Sequence, residues 1–244
     1  QYRILQDYDR AEKFFQTALE KSPKNSLWEK IIVRQADVFL AQGKIKNANK
    51  LIDEMLLVER NQTIRQKKIQ IQFLTGNPDS TLKMIEKELD YLSPSESYFN
   101  DLIALKNLIN QHYDNNSNDK KKVFMDYLNA ELLTQQRQLG QAIEKFKLIA
   151  KHNYKISTIA TLRQALLYRH LKMYDEALNL ALSLEGTFLS DKGIILSGQI
   201  LEEDLNRKDE ALETYMKIIN QYRSSIFSEP IRYHIRKIQQ IKNS

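Results

Sequence analysis

The sequence predicts an all-α fold built as an array of stacked helix pairs, and three observations carry that prediction. Ala11, Ala48, Ala142, Ala177 and Ala211 recur inside similar short phrases: YDRAEKFFQTALEKSP over 8–23, YDEALNLALSLEG over 174–186 and DEALETYMKII over 209–219. Ala11 and Ala48 are 37 residues apart, Ala142 and Ala177 are 35 apart, and Ala177 and Ala211 are 34 apart. Within each phrase the apolar residues fall three or four positions apart, which collects them on one face of an α-helix. Finally, only 6 Gly and 4 Pro occur in 244 residues, too few to turn a β-rich chain. One such helical unit cannot bury its apolar face alone, so neighbouring units must stack to complete the core.

Each element follows from the same register. The phrases resemble the tetratricopeptide repeat, whose motif has a first helix with a small residue followed three positions later by a large one, and a second helix with small, large and apolar residues at spacings of four and three. Ala36, Ala130, Ala165 and Gly198 supply the small residue of the first helix, and Phe39, Leu133, Tyr168 and Leu201 follow them. The small residue allows the paired helices to approach, and the large one fills the groove opposite. Along the second helices run Ala11, Phe15 and Ala18; Ala48, Ile52 and Met55; Thr81, Ile85 and Glu88; Ala142, Phe146 and Ile149; Ala177, Ala181 and Leu184; and Ala211, Tyr215 and Ile218.

The stretch 61–92 keeps the period but not the residue types, since Ile69, Thr81 and Glu88 stand where small or apolar residues are expected. From Thr81 to Ala142 is 61 residues, nearly twice the period. That interval is read as two helices, over 96–113 and 120–137, around the polar loop Asp114–Asp119, with Asn118 or Asp119 as N-cap. The last segment, 229–242, places Ile231, Ile235, Ile238 and Ile241 on one face and Arg232, Arg236 and Lys237 elsewhere, the pattern of a helix that caps an array. The chain is therefore divided into N-terminal repeats over 1–94, a divergent helical segment over 95–136, and C-terminal repeats with the capping helix over 137–244, all in one continuous array.

This pattern resembles the tetratricopeptide repeat (TPR), a 34-residue helix–turn–helix unit, and Pro23 stands where that family closes a repeat. The resemblance covers most of the chain, best over 1–58 and 137–222. It implies a right-handed α-solenoid of about six or seven TPR-like helix pairs that binds a partner protein or peptide along the concave face lined by the first helix of each pair. The family's groove positions fall on Lys30, Val33, Asp37 and Leu40, then on Thr63, Gln66, Gln70 and Phe73. Further along they fall on Phe124, Tyr127, Glu131 and Thr134, on Ile159, Leu162, Leu166 and Arg169, and on Lys192, Ile195, Gln199 and Glu202.

The partner-binding residues expected on this basis are Tyr127, Ile159, Leu162, Leu166, Arg169, Lys192, Ile195 and Gln199, an apolar stripe flanked by two cations. The Lys and Asn positions with which some TPR proteins grip a chaperone's terminal carboxylate hold Val33 and Asp37, Gln66 and Gln70, or Leu162 and Leu166, so that activity is not implied. The ending ALETYMKIINQYRSSIFSEPIRYHIRKIQQI is similar in cadence to TPR domains of bacterial envelope proteins. With a chain that opens on Gln1 rather than Met, it favours an exported protein of the periplasm or envelope, acting in assembly or secretion.

Composition narrows the remaining classes. There is no cysteine, hence no disulfide or thiolate chemistry, and no run of 18 apolar residues to span a bilayer. His112, His152, His170 and His234 show no ligand spacing with a second His or acid, and no Gly-rich phosphate loop is present. Asp114–Asp119 opens like a calcium loop, but Asp119 stands where Gly is needed and Met125 where Glu is needed. Asn61 and Asn115 head glycosylation sequons, relevant in a eukaryotic secretory pathway.

No catalytic residue, cofactor or metal is assigned, and the expected role is non-enzymatic. The net charge of +6 leaves an alternative open. If Arg65, Lys67, Lys68 and Lys120–Lys122 shared one face, the array would bind RNA or another anionic polymer. An accessory domain of a larger enzyme is a third reading. Glu202, Glu203 and Asp204 form an acidic cluster at a helix end, either solvated or facing a basic partner.

Overall fold

The computed structural model describes residues 7–21, 26–58 and 61–242. Pro23 and the side chain of Ile241 lie outside the described residues. Among those residues the chain forms α-helices and no strand. In order they are α1 (Tyr8–Lys21), α2 (Ser26–Ala41), α3 (Ile45–Val58), α4 (Gln62–Leu74), α5 (Pro78–Leu89), α6 (Ser97–His112) and α7 (Asn118–Gln135). They continue as α8 (Leu139–Ala150), α9 (Lys155–His170), α10 (Tyr174–Leu182), α11 (Ser190–Gln199), α12 (Lys208–Gln221) and α13 (Ser228–Lys242), with a π-helical turn (Ile200–Asp204) extending α11.

By register the pairs among the described residues are α2–α3, α4–α5, α7–α8, α9–α10 and α11–α12, of which α2–α3, α4–α5, α9–α10 and α11–α12 pack closely, while α1, α6 and α13 pack on α2, α5 and α12. The 61-residue interval holds α6 and α7, the two helices read there from the sequence. The N-cap before α7 is Ser117, not Asn118 or Asp119: its hydroxyl accepts from the Lys120 amide at 3.5 Å.

The corner inside each pair explains where the first helices stop. Gly43, Gly76, Arg137, Lys172 and Asn206 all have positive φ, between 54° and 77°. A left-handed residue just past a helix lets the following amides turn back onto the last carbonyls. Accordingly the amide of Lys44 donates to Phe39 O, Gln138 to Leu133 O, Met173 to Tyr168 O and Arg207 to Leu201 O, at 2.7–3.0 Å. The donated-to residues Phe39, Leu133, Tyr168 and Leu201 are the large residues that follow the small ones, so one register sets both the packing and the stop.

The chain divides into two compact units within α8, between Ala142 and Ile143. In the first, α2 packs on α3 and α4, α4 on α5, and α5 on α6. Ile32, Ala36, Leu40, Ala48, Ile52, Ile64, Ile71, Thr81, Ile85 and Leu102 are buried in its core. Each large side chain among them contributes about 1.5–3 kcal/mol by leaving water. Thr81 substitutes for alanine at no polar cost, because its hydroxyl donates to Asn77 O at 2.8 Å.

Helix α7 departs from simple succession. Phe124 meets Phe73 at the end of α4 with ring centroids 6.5 Å apart. Met125 lies beside Gly76, and Gln136, just past the end of α7, lies beside Gly43. α7 therefore runs from the terminal turn of α4 to that of α2, across the first-helix side of this unit. A Cβ on Gly76 would fall 2.6 Å from the Met125 methyl, so glycine there serves both the positive φ and the close passage of α7.

In the second unit α9 packs on α10, α10 on α11, α11 on α12 and α12 on α13. Ala165, Ala177, Ala181, Ile194, Ile200, Ala211, Tyr215 and Ile218 form its core. Ile231, Ile235 and Ile238 of α13 close that core, the capping role read from their spacing. Gly198 shows why the small position exists: a Cβ there would lie 2.2 Å from the Tyr215 ring.

Candidate partner-binding grooves

In the first unit, α2, α4, α6 and α7 enclose a cleft of 520 Å³. Thr63, Gln66, Gln70 and Phe73 of α4 line it, with Val33 of α2 and Glu131 of α7, all groove positions of the repeat pattern. Gln135, Tyr98 and Asp101 complete its polar surface. Primary amides both donate and accept, so a wall bearing three of them matches the alternating donors and acceptors of an extended peptide backbone. Beneath them, the Lys67 ammonium lies 2.6 Å from Asp37 Oδ1 and 2.5 Å from Gln70 Oε1. This fixes the Gln70 amide and neutralises Asp37. Burial, followed by the nearby Glu88 and Asp101 carboxylates, raises the Tyr98 phenol pKa well above its ordinary range, so it stays a neutral donor.

Tyr127, expected as a contact residue, is only 4% exposed and lies parallel to Phe124 with ring centroids 6.4 Å apart. Its place is corrected to the core, because α7 turns that face inward against α4 and α2. Gln66 and Gln70 are groove positions by register, and Gln135 is the signal missed: it reads as ordinary surface until α7 brings it to the cleft that α4 lines.

In the second unit α9 carries Ile159, Leu162, Leu166 and Arg169, and α11 carries Lys192, Ile195 and Gln199. Leu162 and Ile195 are half-buried and pack against the core, Ile159 is half-buried, Leu166 is 39% exposed and Lys192 is exposed. Arg169 is engaged within the fold. Its Nε donates to Asp204 Oδ2 at 2.5 Å, one terminal nitrogen to Glu203 Oε2 at 2.7 Å, and the other to Gln199 Oε1 at 3.3 Å. Partial burial opposes its charge, but the bonds to Asp204 and Glu203 outweigh it and raise the guanidinium pKa. The acidic cluster thus meets an internal base. Its remaining member, Glu202, accepts from the Tyr215 hydroxyl at 3.0 Å and lies 2.7 Å from His234 Nε2, tying the π turn to α12 and α13.

Most of the basic cluster is paired with acids of the fold. Lys67 is 7% exposed within its ion pair, Arg65 pairs with Glu88 at 2.7 Å and Lys68 with Asp53 at 2.7 Å. Lys120 pairs with Asp114, and Lys121 donates to Asn115. Lys67 is thereby removed from any surface that the anionic-polymer alternative could use.

One comparison with known proteins falls on the repeat register. A tetratricopeptide repeat model matches residues 196–225, the stretch from α11 through the π turn and α12. No curated protein matches. Among solved structures, that of Naa15/Naa10 bound to HypK-THB aligns with a TM-score of 0.36 and 17% identity, over 96% of this chain and 37% of that one. The chain thus spans little more than a third of that neighbour's length. No helix among the described residues is long and apolar enough to cross a membrane.

Proposed function

We propose that the protein is a non-enzymatic scaffold that binds an extended segment of a partner protein against its first-helix face. The observation that carries this reading is the 520 Å³ cleft lined by Gln66, Gln70 and Gln135. Its volume lies within the range of roughly 300–1,000 Å³ typical of ligand sites, enough for a few residues of a peptide. The stripe around Leu166 in the second unit is a further contact candidate, supported by its exposure beside half-buried apolar neighbours. The setting we propose is the bacterial envelope, supported by the cadence of the C-terminal sequence; fractionation of the source cells tests it.

Affinity capture from the source lysate tests the binding reading, with wild type beside Gln66→Trp, which fills the cleft, and Leu166→Asp. Leu162 is avoided because its side chain packs on the core. With circular dichroism unchanged, Gln66→Trp is expected to lose the partner at least tenfold. Retention by Gln66→Trp with loss by Leu166→Asp would move the contact to the second unit, and retention by both would sink the groove reading.

A further inference from the structure

A second recess in the first unit, of 780 Å³, lies between α3, α4 and α5 and shares only Ile69 with the amide-lined cleft. α3 and α5 both pack on α4, so the recess is a trough with α4 as its floor. Leu57 from α3 is 88% exposed, and Tyr91, just beyond α5, is 72% exposed. Leu56, Ile69 and Met84 line the trough with them.

The charges around this apolar surface are uneven. Asp53 holds Lys68 and Glu88 holds Arg65, so the exposed ammonium of Lys87 leaves a positive balance. Glu88 is 4% exposed and held by Arg65 through Oε2 at 2.7 Å, so its charge is committed within the fold. Elsewhere in the array the same register holds Met55, Ile149, Leu184 and Ile218. Large apolar side chains exposed on both flanking elements require an occupant wide enough to touch both, as a helix of about 10–12 Å diameter does.

We infer that the trough between α3, α4 and α5 docks an amphipathic helix of a partner protein, whose apolar stripe covers Leu57 and Tyr91 and whose acidic edge meets Lys87. This is a different surface from the amide-lined cleft, and it stands or falls separately from that reading.

Selection of 16-residue peptides displayed on phage against the full chain, with counter-selection on Leu57→Asp/Tyr91→Asp, tests it. Both substituted residues are exposed, and circular dichroism checks that the variant stays helical. Recovered peptides are expected to carry apolar residues at i, i+3, i+4 and i+7 with a flanking Asp or Glu, and to bind wild type at least tenfold more tightly than the variant. Lys87→Glu is expected to weaken them severalfold and to favour versions with Lys at the acidic position, while Gln66→Trp leaves them unchanged. Peptides that bind variant and wild type alike, a recovered set without that apolar pattern, or no wild-type-specific peptide would overturn the proposal. So would self-association of the chain that Leu57→Asp abolishes, because a second copy would then be the occupant.

Discussion

Lys172 and Tyr215 show how single residues carry properties that a repeat pattern leaves unstated. Lys172 occupies the left-handed corner of the α9–α10 pair at φ 62°, where Gly43 and Gly76 stand in other pairs. A residue with a Cβ is strained there by about 1 kcal/mol, so Lys172→Gly is expected to raise stability by about that amount in urea unfolding. Tyr215 behaves differently. Burial, then the Glu202 carboxylate that accepts its hydroxyl, raises its pKa above the ordinary 10.0. Below pH 10.0 the phenol is protonated in folded and unfolded chains alike, and its full contribution is present. Above that pH the unfolded chain ionises first, so stability falls as pH rises toward the raised folded value. Tyr215→Phe is expected to flatten the decline of unfolding free energy measured between pH 9 and 11; an unchanged slope would exclude Tyr215 as its source. Tyr98, raised by burial and by Glu88 and Asp101, adds the same sign in the first unit.

Among elements, the α11–α12 contact is the most exacting, because the Tyr215 ring fills the space a side chain on Gly198 would need. Gly198→Ala is expected to lower stability by about 1–3 kcal/mol through overpacking, read as a fall in melting temperature, even though alanine favours helix more than glycine. This contact was legible in the sequence, since a small residue at 198 and an aromatic at 215 occupy the positions that demand each other. So were the buried alanines at 11, 48, 142, 177 and 211 and the apolar face of α13. What spacing alone does not distinguish is which inward face a helix presents. Tyr127 keeps groove register yet is buried, because α7 crosses α4 and α2 instead of simply following them. Ion pairs are also hidden: Arg65–Glu88 and Arg169–Asp204 join residues on different helices, and a one-dimensional scan sees only a basic run and an acidic run.

At the scale of the molecule, packing joins helices close in the chain order, and the longest reach within the first unit is that of α7 to α2. In an array of this kind each contact interface contributes nearly independently, so a change in one pair is felt chiefly by its neighbours. The path of α7 has one more consequence. By packing on α4 and α2, it joins stretches of chain far apart in sequence, whereas the other helices meet those next or nearly next in order. Contacts of high sequence separation carry a larger loop-closure cost and tend to form after local ones. α7 is therefore expected to dock onto an assembled α2–α5 late in folding, and Phe124→Ala to speed unfolding more than it slows refolding in stopped-flow kinetics. Equal effects on both rates would place α7 in the folding nucleus instead.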